Sequence, residues 1–260
     1  MPLIQLKNVH KRFGPLVVLD GVTLDVEMGK CLVVIGASGT GKSVLLKHIV
    51  GLLRPDRGEV WFDGKRVDNL FERDFMLVRR RIGFLFQQSA LFDSINVADN
   101  VAFPLVEHSD KLAGEIRELT EQKLRMVGLP GIGDKMPGEL SGGMRKRVAL
   151  ARAIAMSPEV ILYDEPTTGL DPVRADVINQ LILKLQRELQ ATSIVVTHDM
   201  HSAFKIADRI VMLHEGKIIF DGPPTAILES GNPVVRRFVM GEASEQELAS
   251  LRGGPDASWF

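Results

Sequence analysis

Apolar positions come in short strand-like runs through the first third of the chain. Residues 3–9 and 17–26 carry such runs, the second closing at the turn Glu27-Met28-Gly29-Lys30. Residues 32–35 are continuously apolar, the pattern of a strand covered on both faces. A glycine-rich turn follows, and residues 43–50 then take helical spacing. Residues 58–64 are expected to form a strand entering a tight turn, and residues 82–86 another strand.

From about residue 91 to 157 the strand pattern gives way to helical periodicity, in residues 97–106, 112–127 and 144–156. This predicts an all-helical lobe inserted into an α/β core. Three more apolar strands follow, at 160–163, 193–197 and 210–214, with helices such as 174–189 between them. That alternation is the βαβ rhythm of a largely parallel sheet. The expected organisation is one domain over 1–241 and a polar tail over 242–260, ending in Trp259-Phe260. The basic run Arg79-Arg80-Arg81 is expected to be the solvated end of a helix.

Composition narrows the class without naming a chemistry. The 260 residues are 45% hydrophobic and 25% charged with a net charge of −1, so a well-cored fold is expected and nucleic acid is not. The runs are far shorter than the roughly 20 apolar residues of a spanning helix. The start MPLIQLKNVHKRF lacks the pattern of a secretory leader, so a membrane link is expected to run through a partner. The single cysteine, Cys31, lies in the apolar run KCLVVIG and is expected to be packed in the core. The six histidines form no cluster with cysteine or paired carboxylates, so no structural zinc is expected.

The glycine-rich turn has a specific form. Gly36-Ala37-Ser38-Gly39-Thr40-Gly41-Lys42-Ser43 matches the phosphate-loop pattern G-x-x-x-x-G-K-[ST], for which a chance match in this length is on the order of one per cent. Glycines let the backbone wrap a phosphate, and N–H groups at the helix start point at its oxygens. Lys42 would reach the β- and γ-phosphates, and the Ser43 hydroxyl would ligate Mg²⁺.

Two later strand ends supply matching chemistry. VILYDEP ends an apolar strand on Asp164 and Glu165. Adjacent carboxylates there call for a cation or a proton, with Asp164 suited to Mg²⁺ and Glu165 to general base. TSIVVTHDM ends another strand on His198, which would open at the same sheet edge and contact the γ-phosphate or its attacking water. Gln87, at the end of the expected strand GFLFQ, can reach Mg²⁺ or water at the entrance to the helical lobe. A second phosphate-binding helix start stands at Ser141-Gly142-Gly143, followed by Met144.

Together these elements resemble the ATP-binding subunit of ATP-binding cassette (ABC) transporters over about residues 3–240. The motifs are the phosphate loop, Gln87, the signature LSGGM, the strand VILYDEP, GLDP with Asp171, and His198. The resemblance implies an α/β P-loop NTPase fold: a mainly parallel core sheet, an antiparallel β subdomain and an inserted α-helical lobe. It implies ATP and Mg²⁺ as ligands. Phe13 stands where the family places an adenine-stacking ring, with Val18 as an adjacent apolar wall; Phe13 is otherwise strand core. It also implies a head-to-tail dimer of two copies, in which Ser141, Gly142 and Gly143 hold the γ-phosphate of ATP on the other copy's phosphate loop.

Met144 departs from the glutamine commonest at its position. With FLFQQSALFDSINVADNVAFPL and DEPTTGLDP, it makes the chain similar to the ATPases of Mla-type systems, which move phospholipid or other lipids between membranes with MCE-class proteins. This implies a permease whose coupling helix enters the groove near Gln87, and Phe86, Leu91 and Phe92 belong either to that groove or to lobe core. It further implies an MCE-domain lipid-binding protein, a small STAS-domain protein on the helical lobe, and a place on the cytoplasmic face of the inner membrane. The Trp259-Phe260 tip is a candidate subunit clasp. An importer ATPase for a small solute shares every catalytic motif and is the main rival. A nucleic-acid-acting ABC protein would bring a second cassette, a long coiled coil or a zinc insertion, none of which the sequence carries.

Overall fold

A computed structural model describes residues 2–243 of the chain. The chain opens with two long antiparallel strands, β1 (Pro2–Phe13) and β2 (Leu16–Glu27). β1 also pairs with β4 (Arg57–Phe62), and β4 with the short β5 (Lys65–Arg66), giving an antiparallel sheet of order β2-β1-β4-β5. Their inward residues, among them Leu3, Ile4, Leu6, Leu24 and Val60, are buried against the core.

The second sheet contains β3 (Cys31–Ile35), β6 (Ile82–Leu85), β7 (Val160–Asp164), β8 (Thr192–Thr197), β9 (Arg209–His214) and β10 (Lys217–Gly222). Its order is β10-β9-β3-β8-β7-β6, parallel throughout except for β10. Alternate side chains of β3 serve opposite faces. Val33 and Ile35 join the helical side of the core, while Leu32 and Val34 join the side shared with the antiparallel sheet. Burial on both faces explains why β3, residues 160–163 of β7 and residues 194–196 of β8 read as unbroken apolar runs.

Helix α1 (Lys42–Ile49) follows the phosphate loop and buries Leu45, Leu46 and Ile49. α2 (Glu72–Arg79) precedes β6. Between β6 and β7 lie only helices and loops: α3 (Val97–His108), α4 (Ala113–Met126) and α5 (Gly142–Ala153), after a single turn at Pro137–Glu139. The remaining helices are α6 (Pro172–Leu189), α7 (Met200–Ile206), α8 (Pro224–Ile227) and α9 (Pro233–Met240).

Three sequence expectations need amendment. Arg79-Arg80-Arg81 does end a helix, but among the described residues only Arg80 is free of such ties: Arg79 pairs with Glu72 and donates to the Val50 and Gly51 carbonyls, while Arg81 bridges Asp63 and Glu159. The strand before Gln87 ends at Leu85, so Gln87 lies in the following turn. The pattern missed α2, β5 and β10, whose apolar residues are few or only half-buried. Cys31 is fully buried, and burial pushes its thiol pKa far up. The Trp259-Phe260 tip falls outside the described residues.

Candidate active site

Strand order assembles the site. β8 lies between β3 and β7, so the carboxyl end of β8 is flanked by the phosphate loop on one side and by Asp164 on the other. Register keeps the ends level: Ile35 opposes Thr197, and Asp164 opposes Val196. The next residues along β3, β7 and β8 are Gly36, Glu165 and His198, which therefore meet at one sheet edge.

The loop from Gly36 to Gly41 takes a path side chains would obstruct. Gly36 has φ 153°, and a Cβ there would lie 2.4 Å from the Leu213 carbonyl oxygen. Gly41 has φ 98°, and its Cβ would lie 2.8 Å from Cγ1 of Val18 and 2.9 Å from the Val18 carbonyl oxygen. Gly39, at φ 81°, has open space where its Cβ would project. Ala37 accepts from the Thr40 hydroxyl at 2.9 Å, closing the turn, and Ser38 is exposed at its tip. Gly41 then serves as the N-cap of α1 without a side-chain cap, leaving the first N–H groups of the helix without a side-chain acceptor.

Lys42 is nearly enclosed, at 5% exposure. Its ammonium donates to the Gly36 and Ala37 carbonyls at 2.8 and 2.9 Å and stands 3.6 Å from Glu165 Oε1. Burial lowers its pKa, and the Glu165 carboxylate opposes that shift. Ser43 donates its hydroxyl to Asp164 Oδ1 at 2.7 Å. Burial raises the Asp164 pKa, against the hydrogen bond from Ser43, with Glu165 adding to the rise. A hydroxyl and a carboxylate brought together at one strand end are hard oxygen donors of the kind Mg²⁺ takes. The charge that burial penalises is also one that a cation relieves.

Glu165 is held on every side. It adopts φ 49°, a left-handed conformation uncommon for a residue with a side chain. Its N–H donates to the Val196 carbonyl at 3.0 Å, which fixes that turn against β8. Oε2 accepts from the Thr168 hydroxyl at 3.2 Å and stands 2.9 Å from His198 Nδ1. Its main-chain oxygen accepts from the Lys146 ammonium at 3.2 Å. His198 is half exposed, so it links the enclosed carboxylate to the open side of the crevice.

The other expected residues lie around this centre. Phe13 is 46% exposed at the end of β1, which removes the strand-core alternative and leaves its ring available for stacking. Val18 is half-buried and packs on the phosphate loop at Gly41. Gln87 is exposed in the turn after β6 and has no hydrogen bond among the described residues. Ser141 is the N-cap of α5, its hydroxyl accepting from the Met144 N–H at 3.3 Å. A Cβ on Gly142 would meet nothing within 4 Å, whereas one on Gly143 would lie 3.6 Å from Cδ of Arg174. Met144 is half-buried and packs against the main core. Asp171 caps α6, accepting from the Arg174 N–H at 3.0 Å, and it pairs with the Arg174 guanidinium at 3.2 Å.

A groove of about 400 Å³ opens beside Gln87, between the core and the helical lobe. Phe86, Phe92, Phe103 and Met76 line it with Arg80 and Arg152. Leu91, by contrast, packs against the core. Arg152 crosses from α5 to donate to the Ser89 and Ala90 carbonyls at 3.1 and 2.7 Å.

Sequence reasoning missed Lys146, Thr168, Arg174 and Arg152. A signal existed for Lys146: it lies three residues after Gly143 and four before Leu150, on the inward stripe of α5. Thr168 and Arg174 each meet a carboxylate three residues earlier, and Arg152 donates to distant main-chain oxygens, contacts that spacing does not reveal.

Comparison with known proteins agrees with this geometry. Residues 19–168 match the ABC transporter family. The chain is 44% identical over 241 residues to the intermembrane phospholipid transport system ATP-binding protein MlaF of Haemophilus influenzae, covering 93% of this chain and 91% of that protein. It is 45% identical over 238 residues to a probable ribonucleotide transport ATP-binding protein, mkl, of Mycobacterium leprae, covering 92% of this chain and 69% of that protein. Among solved structures it resembles the dimeric cassette MJ0796 in a post-hydrolysis state bound to ADP and Pi, with TM-score 0.79 and 35% identity over 85% of this chain and 98% of that one. Motifs, strand order and likeness converge: the chain belongs to the ABC transporter family, as its ATP-hydrolysing cassette.

Proposed function

We propose that this ATPase drives movement of phospholipid between membranes through a separate permease. The observation that carries the lipid reading is the match to the Haemophilus MlaF, 44% identical and spanning 91% of that protein. Met144 in the signature points the same way.

In this reading the Gly36–Ser43 loop, the α1 N-terminus and Lys42 bind the β- and γ-phosphates, and Phe13 stacks on adenine with Val18 beside it. Lys42 gives up its contacts with the Gly36 and Ala37 carbonyls to do so. Ser43 and Asp164, with Gln87 as a third candidate ligand, would hold Mg²⁺, which would neutralise phosphate charge. Glu165 accepts a proton from water, whose oxygen attacks the γ-phosphorus while the bond to the β–γ bridging oxygen breaks. The products are ADP and phosphate. His198, 2.9 Å from Glu165, orients the carboxylate and meets the γ-phosphate.

Two copies pack head to tail, and Ser141, Gly142 and Gly143 of one hold the γ-phosphate on the other's loop, with Asp171 at the junction. The γ-phosphate thus joins the dimer and hydrolysis releases it, a two-state switch. The permease inserts its coupling segment into the groove lined by Phe86 and Phe92. An MCE-domain lipid-binding protein and a small STAS-domain protein complete the assembly. No helix among the described residues is long and apolar enough to cross a membrane, which fits a peripheral subunit on the cytoplasmic face of the inner membrane.

The rival reading is import of a small solute, favoured by the name of the mycobacterial relative, although the chain spans only 69% of that protein. The test is to purify the chain with its permease, identify bound molecules by mass spectrometry, and follow labelled phospholipid between vesicles. Bound phospholipid and ATP-dependent transfer are expected. A hydrophilic solute with no lipid transfer would replace this reading with import.

A further inference from the structure

Lys146 is a buried cation with no carboxylate within salt-bridge distance among the described residues. Its residue exposure is 6%, so desolvation is costly, and burial lowers its pKa. A methionine or leucine would fill such a site without that cost. The ammonium is instead spent on one contact, the main-chain oxygen of Glu165 at 3.2 Å. The same oxygen lies 3.3 Å from the Thr168 N–H. Both contacts fix the peptide that follows a residue in left-handed conformation, φ 49°. Such a conformation persists only where its surroundings over-determine it.

Lys146 sits five residues into the helix that Ser141 caps, so the two are about 7.5 Å apart along one rigid axis. The far end of that helix is also tied down, by Arg152 to the Ser89 and Ala90 carbonyls beside the groove. One helix therefore joins the signature, the backbone of the general base and the turn carrying Gln87.

We propose that Lys146 is a positioning residue, through which a phosphate engaged at Ser141 sets the orientation of Glu165 in the same chain. This rests on Glu165 as base and on signature action across the dimer. The two phosphates concerned belong to different ATP molecules. The phosphate at Ser141 is carried by the partner, while Glu165 serves the ATP on its own loop. Lys146 then makes each site sensitive to occupancy of the other, with no step of the chemistry passing through its ammonium.

The test uses the full chain in complex with its permease, comparing Lys146→Met, Lys146→Arg and Glu165→Gln. Methionine keeps the length and apolar stem but cannot donate; arginine can. Lys146→Met should lower kcat roughly 10- to 100-fold, the scale of a small misplacement of a catalytic group. It should leave the KM for ATP within about twofold and bring the Hill coefficient for ATP toward one. Lys146→Arg should recover most of kcat and the cooperativity. Unchanged kcat and Hill coefficient in Lys146→Met would overturn the proposal. So would a loss that tracks a fall in melting temperature and is not recovered by arginine, since that marks packing alone. Glu165→Gln separates the two layers: if it abolishes turnover while Lys146→Met does nothing, the function stands and only the positioning role falls.

Discussion

His198 Nδ1 lies 2.9 Å from Glu165 Oε2, and the two residues differ sharply in environment, with the histidine side chain 50% exposed and the glutamate side chain 10%. A carboxylate enclosed and aimed by an open-sided imidazole is the arrangement expected of a base that must face an incoming water. Glu165→Gln keeps the shape and removes the proton acceptor. Turnover should fall about 10²–10⁴-fold while ATP binding persists, as measured by single-turnover hydrolysis and filter binding. Normal hydrolysis in this variant would remove Glu165 from the role.

Asp164 illustrates a charge kept at a cost to the fold. Its pKa is raised above the ordinary 3.8 by burial first. A group so shifted contributes stability in acid, and that contribution is lost as pH rises through the raised pKa. Asp164→Asn should therefore raise the melting temperature of the nucleotide-free protein, more at pH 7.5 than at pH 5, and should abolish Mg²⁺-dependent turnover. A lower melting temperature at pH 7.5 would mean that Lys42 and Ser43 already compensate the charge in full.

Phe13 can be removed without opening a core, because it is 46% exposed. Base–aromatic stacking is worth about 1–3 kcal/mol. Phe13→Ala should weaken ATP binding by fivefold or more with no change in melting temperature, and Phe13→Trp should restore it. A fall in stability with unchanged affinity would return Phe13 to a packing role.

Most of this site was legible because its residues follow buried strands. VILY and IVV are unbroken apolar runs, since helices and the antiparallel sheet cover both faces, and they end immediately before Asp164 and Thr197. The phosphate loop was legible because only glycine fits at Gly36 and Gly41. Phe13 stayed ambiguous because strand-end position does not specify exposure. The partners of Lys146 and Arg152 were hidden, although spacing marks Lys146 as inward-facing, because both donate to main-chain oxygens of segments 19 and more than 60 residues away, and those oxygens belong to every sequence alike. α2 was hidden because it buries only Phe75.

In the proposed dimer each ATP is held by two chains, with the phosphate loop from one and Ser141-Gly142-Gly143 from the other. Ser141→Arg should abolish turnover although its own phosphate loop is intact, and Lys42→Ala should do so although its signature is intact. Combining differently tagged copies of the two variants in one complex restores one whole site. Purified mixed complexes should regain ATP turnover well above either variant alone. If mixed complexes remain as inactive as the separate variants, while each variant still folds and assembles, the shared site is contradicted.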